Sequence, residues 1–191
     1  MPIPSVDARL ARFEAIYEGR YLEISGYVRR RVAEQDAADV IAEIFMVAWR
    51  RLDRIPSPPE DRLWLFGVAR RCVADNRRSR VRRLRLRSRL EQQPLQPAQR
   101  PDDAEPAHER VRLALEHLRS SDREILQLVL WDELSHSEAA TLLGCSVNAF
   151  ELRYRRARTR LREALGTPPD AFESIAPAPI ATSEGWRIYP T

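Results

Sequence analysis

The sequence has no lysine: all 32 of its basic residues are arginine. Every cation it carries is therefore permanently charged, and planar enough to grip a phosphate with two parallel hydrogen bonds. Cysteine is almost absent. Cys72 and Cys145 lie far apart and form no CxxC pair, and His108, His117 and His136 make no metal-ligand spacing with them. The pattern of a zinc site or a disulfide framework is missing, and two small buried hydrophobes are the simpler reading. Only six glycines are present, and β-branched runs are few, which favours helix over sheet. No stretch approaches the roughly 18 apolar residues of a membrane span. The opening MPIPSVDARLARFEAIYEG has no apolar core of the signal-peptide kind. No nucleophile–base pair stands out, so neither catalysis nor a small-molecule substrate is indicated. The expectation is an all-α protein of the cytoplasm with no metal, no cofactor and no membrane contact.

What is present is apolar content and unevenly placed charge. The chain is 43% hydrophobic and 31% charged, enough for a packed core. Its net charge of +4 hides an asymmetry. Residues 70–89 hold ten arginines against Asp75 alone, a local charge of +9 that leaves −5 for the remainder. Charge this clustered points to a polyanion, most simply nucleic acid.

The chain divides into helical stretches 7–90 and 108–166, a segment 91–107 and a tail 167–191. EQQPLQPAQRPDDAEPA (91–107) holds four prolines and no apolar periodicity, and reads as an extended linker. The tail holds five prolines and reads as irregular. In the first stretch, Phe13, Ile16, Tyr17, Leu22, Ile24, Tyr27 and Val28 suit one long helix or two short ones, with Gly19 leaving the choice open. DAADVIAEIFMVAWRRL (36–52) follows, with Asp36 as its expected cap and Val40, Ile41, Ile44, Phe45, Val47, Ala48 and Leu52 as an apolar stripe. Asp36, Asp39 and Glu43 share another face of it. That acidic stripe is either a solvated face or a partner surface. After the break RIPSPPEDR (54–62), the segment 62–90 buries its first half through Leu63, Leu65, Phe66, Val68, Ala69, Cys72 and Val73. Its second half is basic nearly all round. Like charges at i+4 repel, and phosphates would relieve that repulsion and release counterions.

The second stretch carries a helix-turn-helix signature. ERVRLALEHL (109–118) and SSDREILQLVLWDEL (120–134) supply apolar helices, the latter expected to start at Ser121 or Asp122. Ser135 followed by Glu138 is a capping box, Gly144 a left-handed stop and Ser146 a second cap. In the helix after Ser146, Val147, Phe150, Tyr154, Ala157 and Leu161 fall on one side and should pack inward. The other side presents Asn148, Leu152, Arg155, Arg156 and Thr159, flanked by Glu151 and Arg153. Its N-terminal part would enter a major groove. Asn148, Glu151 and Leu152 are candidates for reading bases, and Arg153, Arg155, Arg156 and Arg158 for holding phosphates. Ser146 and Ala149 lie on the same leading turn.

Taken together, these motifs resemble those of bacterial RNA polymerase sigma factors of the sigma-70 family, extracytoplasmic function type. DAADVIAEIFMVAW (36–49) is similar to that family's D-x-x-D-L-x-Q-E-x-F-x-x-A-W/Y segment. WLFGVARRCVAD (64–75) is similar to W-L-Y-R-I-A-R-N-x-x-x-D, with the arginine cluster following. LRSSDRE (118–124), LSHSEAATLLGCSV (134–147) and RYRRARTRLR (153–162) follow the family's last segments in order and spacing. The chain departs from the pattern at Ala42, Arg71 and Glu151 and in the loop IPSPPEDR. The resemblance implies two small helical domains, a region 2-like bundle at 7–90 and a region 4-like helix-turn-helix at 108–166. It implies core RNA polymerase and promoter DNA as partners, and leaves room for an anti-sigma factor. Asp36, Asp39, Glu43 and Phe45 would face the polymerase. Asp61, Arg62, Trp64, Arg70, Arg71, Asn76, Arg77, Arg78 and Arg80 would engage the −10 element as it opens, and the loop 53–62 would take up a flipped base. Ser146, Asn148, Ala149, Glu151, Leu152, Arg153, Arg155, Arg156 and Arg158 would meet the −35 element. A helix-turn-helix regulator of the LuxR kind is the competing reading, but residues 7–90 lack the βαβ alternation of its receiver domain.

Overall fold

A computed structural model of the chain describes residues 5–90 and 106–166, the side chains of 86–90 and 106–109 excepted. The segment 91–105 and the tail 167–191, expected as linker and irregular tail, lie outside the described residues. Two compact units divide the chain, residues 1–100 and 101–191. Among the described residues there is no strand, so the all-α expectation holds.

Three helices build the first unit: α1 (Val6–Arg29), α2 (Glu34–Arg50) and α3 (Glu60–Leu90), each packed on the other two. The Ser5 hydroxyl accepts the Ala8 N–H at 3.2 Å and starts α1. That helix runs through Gly19 without a break, because its buried face spans the position and supplies what glycine's weak propensity does not. The start of α2 differs from expectation. It begins at Glu34 with Ala33 as an uncapped lead, so Asp36 lies in the first turn rather than at the cap. There its charge still complements the helix dipole.

The core of this unit is Ile24, Tyr27, Val28, Val40, Ile44, Ala48, Leu52, Leu65, Phe66 and Ala69. Tyr27 and Phe66 meet edge-on, ring centroids 5.4 Å apart, an arrangement the ring quadrupoles favour. A single 3-10 turn (Leu52–Arg54) links α2 to the exposed loop that enters α3.

The second unit holds α4 (Pro106–His117), α5 (Ser120–Leu130), α6 (His136–Leu143) and α7 (Val147–Leu165), with α7 packed against the other three. Pro106 opens α4, where its missing N–H costs nothing and its fixed φ suits the helix. The capping box forms as expected. Ser135 Oγ accepts the Glu138 N–H at 3.2 Å, and Glu138 accepts the Ser135 N–H at 2.8 Å. Ser146 Oγ accepts from the Ala149 N–H at 3.3 Å and starts α7. Asp122 is not the cap of α5. It is buried in the first turn and takes a 2.6 Å hydrogen bond from Arg160 on α7.

Gly144 stops α6 at φ +68°. A Cβ there would meet nothing within 4 Å, so the cost of a side chain is conformational alone. Gly144→Ala should therefore destabilise the second unit by about 1–2 kcal/mol, read as a lower urea midpoint for its helices. An unchanged midpoint would mean that the turn does not require the left-handed conformation.

Candidate nucleic-acid interface

Helix α7 separates its two faces cleanly. Phe150, Tyr154, Ala157 and Leu161 are buried. Asn148, Leu152, Arg153, Arg155 and Arg156 are exposed, Leu152 to 50%, while Ala149, Glu151 and Arg158 are half-buried. An apolar side chain half in water at the leading end of an arginine helix suits contact with a thymine methyl. Val147, expected to pack inward, is instead 41% exposed. It is the first residue of the helix, where the stripe has not yet turned under the protein. His136 lies across Phe150 and Tyr154, with ring centroids 5.5 and 5.0 Å away, and its Nδ1 is 3.6 Å from the Glu151 carboxylate.

What holds this helix in place was only partly visible in sequence. Arg123 donates to the carbonyls of Leu115, Glu116 and Leu118 at 2.8, 2.8 and 3.3 Å. It thereby satisfies the open end of α4. Asp122 and Arg160 tie α5 to α7. Neither role shows in local periodicity. The neighbouring Arg123 and Glu124 were legible only as part of a motif.

In the first unit the candidate residues separate into surface and support. Asp39 and Glu43 are exposed on α2, and Asp36 is half-buried beside them. Phe45 is buried, packed on the rings of Tyr17 and Tyr21 at 4.7 and 6.0 Å. It supports this face from beneath. On α3, Arg71, Arg77, Arg78 and Arg80 are exposed, while Trp64, Arg70 and Asn76 are half-buried. Arg78 pairs with Asp75 one turn earlier.

Asp61 and Arg62 are both engaged within the protein. Asp61 is 2% exposed, and Arg20 grips it with two hydrogen bonds of 3.0 and 2.9 Å. That grip raises the Arg20 pKa, through the hydrogen bond first and against the opposing cost of burial. Arg62 donates to Glu23 at 3.1 Å and lies over the Phe66 ring. Both are anchors for the start of α3.

Known proteins share both the motifs and the fold. The family described as Sigma-70, region 4 matches residues 108–161. The RNA polymerase sigma factor NccH of Alcaligenes xylosoxydans xylosoxydans is 32% identical over 183 residues, covering 86% of this chain and 97% of that one. The chain belongs to the sigma-70 family of RNA polymerase sigma factors, of the extracytoplasmic function type. The ECF RNA polymerase sigma factor SigL of Mycobacterium tuberculosis is 28% identical over 162 residues, covering 83% of this chain and 91% of its own. A solved structure of CnrH in complex with the cytosolic domain of CnrY is similar at a TM-score of 0.58, with 28% identity over 81% of this chain and 87% of that one. The sigma factor RpoE, solved with the anti-sigma factor NepR from Bartonella quintana, shares the fold at a TM-score of 0.59 and 24% identity, over 84% of this chain and 95% of that one.

As a sigma factor, the protein is a transcription initiation subunit that partners core RNA polymerase and promoter DNA. The LuxR alternative is not favoured. No described helix is long and apolar enough to cross a membrane. Among the described residues no three His, Cys, Asp or Glu side chains gather as metal ligands.

Cys72 gives a probe of the packing between α2 and α3 in this sigma factor. It is buried on α3, and burial, then Glu43 and Asp75, push its thiol up to about 11. Below that value the thiol stays neutral and unreactive. Cys145 is half-buried at the helix-turn-helix turn. At pH 8, maleimide should modify Cys145 first, with Cys72 slower by roughly two orders of magnitude. Equal rates by mass spectrometry would mean that α3 opens from α2 in solution.

Proposed function

We propose that the two units divide promoter recognition between them. The first unit docks on core RNA polymerase through the acidic face of α2, led by Asp39 and Glu43. Its α3 engages the −10 element with Arg71, Arg77, Arg78 and Arg80 on backbone phosphates and Trp64 near the opening strand. The loop 53–62 takes up an unstacked base from the strand that is displaced, where stacking and backbone contacts favour single-stranded DNA. The second unit reads the −35 element with α7, using Asn148, Glu151 and Leu152 on base edges and its arginines on phosphates. The protein carries no catalytic step of its own and works in the cytoplasm, where polymerase and promoter meet.

The observation that carries this reading is the pairing of two features in one chain: an acidic exposed face on α2 and arginine faces on α3 and α7. A regulator that needed only DNA would have no use for the acidic face. CnrH and RpoE were each solved with a second protein, CnrY and NepR respectively. By that likeness, an anti-sigma factor restrains this protein as well.

The test is initiation in a purified system. With core polymerase and a cognate promoter, the protein should give a transcript with a defined start. Tight binding to duplex DNA alone, with no initiation from any core enzyme, would refute it. Within the same system, Asp39→Arg with Glu43→Arg should weaken core binding by about tenfold or more, as like charges replace complementary ones. The midpoint of thermal unfolding should stay put, since both side chains are exposed. Undiminished core binding would take the acidic face out of the interface.

A further inference from the structure

Helix α1 has no part in the contacts proposed above, yet it makes several directed polar contacts to the rest of the first unit. Arg29 pairs with Glu34 at the start of α2; four other residues reach the connection between α2 and α3 and the first turn of α3. Arg9 Nη1 donates to both carboxylate oxygens of Asp53, at 2.8 and 2.7 Å. Arg12 Nη2 donates to the Ile55 carbonyl at 2.5 Å. Arg20 grips Asp61, and Glu23 accepts from Arg62 at 3.1 Å. At 100° per residue, positions 9, 12, 20 and 23 fall within about 80° of one another, so one stripe of α1 makes these four contacts. Leu52 and Ile55 plug the start of the loop into the core, while residues 56–60 stand exposed at its apex. Three of those five residues are proline, and none is glycine.

We propose that this stripe of α1 is a brace that presets the loop for strand capture, with Arg9, Arg12, Arg20 and Glu23 as positioning residues for promoter opening. The proposal rests on reading the loop as the segment that takes up an unstacked base. A loop held at its start and at its end, with φ fixed by proline at its apex, has lost much of its conformational freedom before DNA arrives. Capturing a base then carries no ordering cost, and more of the interaction is available to hold the duplex open. Stability alone does not account for the Arg9 contact. Its partner Asp53 is largely exposed, and exposed ion pairs contribute little to folding. What such a contact fixes is where the loop sits.

The experiment uses the full chain assembled with core polymerase on two templates: a duplex promoter and the same promoter with its −10 region pre-opened by mismatches. Arg9→Ala with Arg12→Ala should slow opening of the duplex, followed by permanganate reactivity, by roughly tenfold, the scale of losing charged hydrogen bonds. Core affinity and initiation from the pre-opened template should stay within about twofold of the parent, and the unfolding midpoint should stay put. Exchanging the pair, Arg9→Asp with Asp53→Arg, should restore most of the opening rate relative to Arg9→Asp alone. Unchanged opening in the alanine variant, or equal loss on both templates, overturns the brace. A loop-apex variant, Pro56→Gly, Ser57→Gly, Pro58→Gly and Pro59→Gly, separates the two levels. Slower opening in that variant with none in Arg9→Ala/Arg12→Ala overturns the brace but keeps the loop reading. No change in either overturns both.

Discussion

A helix crowded with arginine cannot bury itself, and the structure is organised around that constraint. Each unit solves it by joining an apolar anchor to a charged surface on one helix. In α3 the division runs along the axis: Leu65, Phe66, Val68, Ala69 and Cys72 are buried, and Arg77, Arg78, Arg80, Arg82, Arg83 and Arg85 are exposed. In α7 it runs around the axis, with Phe150, Tyr154, Ala157 and Leu161 under the arginine face. Burial of the anchors holds each helix against the self-repulsion of its charges. The repulsion that remains favours a polyanion beside these faces.

The acidic groups follow a complementary rule. Asp61 and Asp122 are taken out of water, and each is compensated by a long-range arginine, Arg20 and Arg160 respectively. With the carboxylate buried, such a pair fixes geometry more than it adds stability, and removing the arginine is costly. Asp39 and Glu43 stay outside and keep their charge available. Of the arginines of α1, Arg9 and Arg12 hold the loop ahead of α3 and Arg20 holds its first turn.

Much of the second unit was legible in the sequence because its signals are local. A serine three residues before a glutamate, a glycine at the end of an apolar stripe and a serine after it specify the helix-turn-helix from neighbours alone. The apolar face of α7 followed from its period. What escaped was set by distant partners. Asp122 looked like a cap because its partner Arg160 lies 38 residues away. Asp61 looked like a DNA contact because Arg20 lies 41 residues away. Phe45 looked like a partner contact because only the fold brings Tyr17 and Tyr21 over it. Order and spacing of motifs were enough to indicate the family; burial, which decides which motif residues face outward, required the packed structure.

The sharpest test of this division of labour is the salt dependence of promoter binding by the assembled polymerase. Replacing Arg77, Arg80 and Arg83 with alanine removes exposed charge from α3 and leaves its buried anchor intact. If these arginines hold phosphates, the slope of log affinity against log salt concentration should become shallower by about 0.9 for each phosphate no longer neutralised. A slope unchanged from the parent protein would refute a phosphate-holding role for α3, because charge that meets no phosphate displaces no counterions.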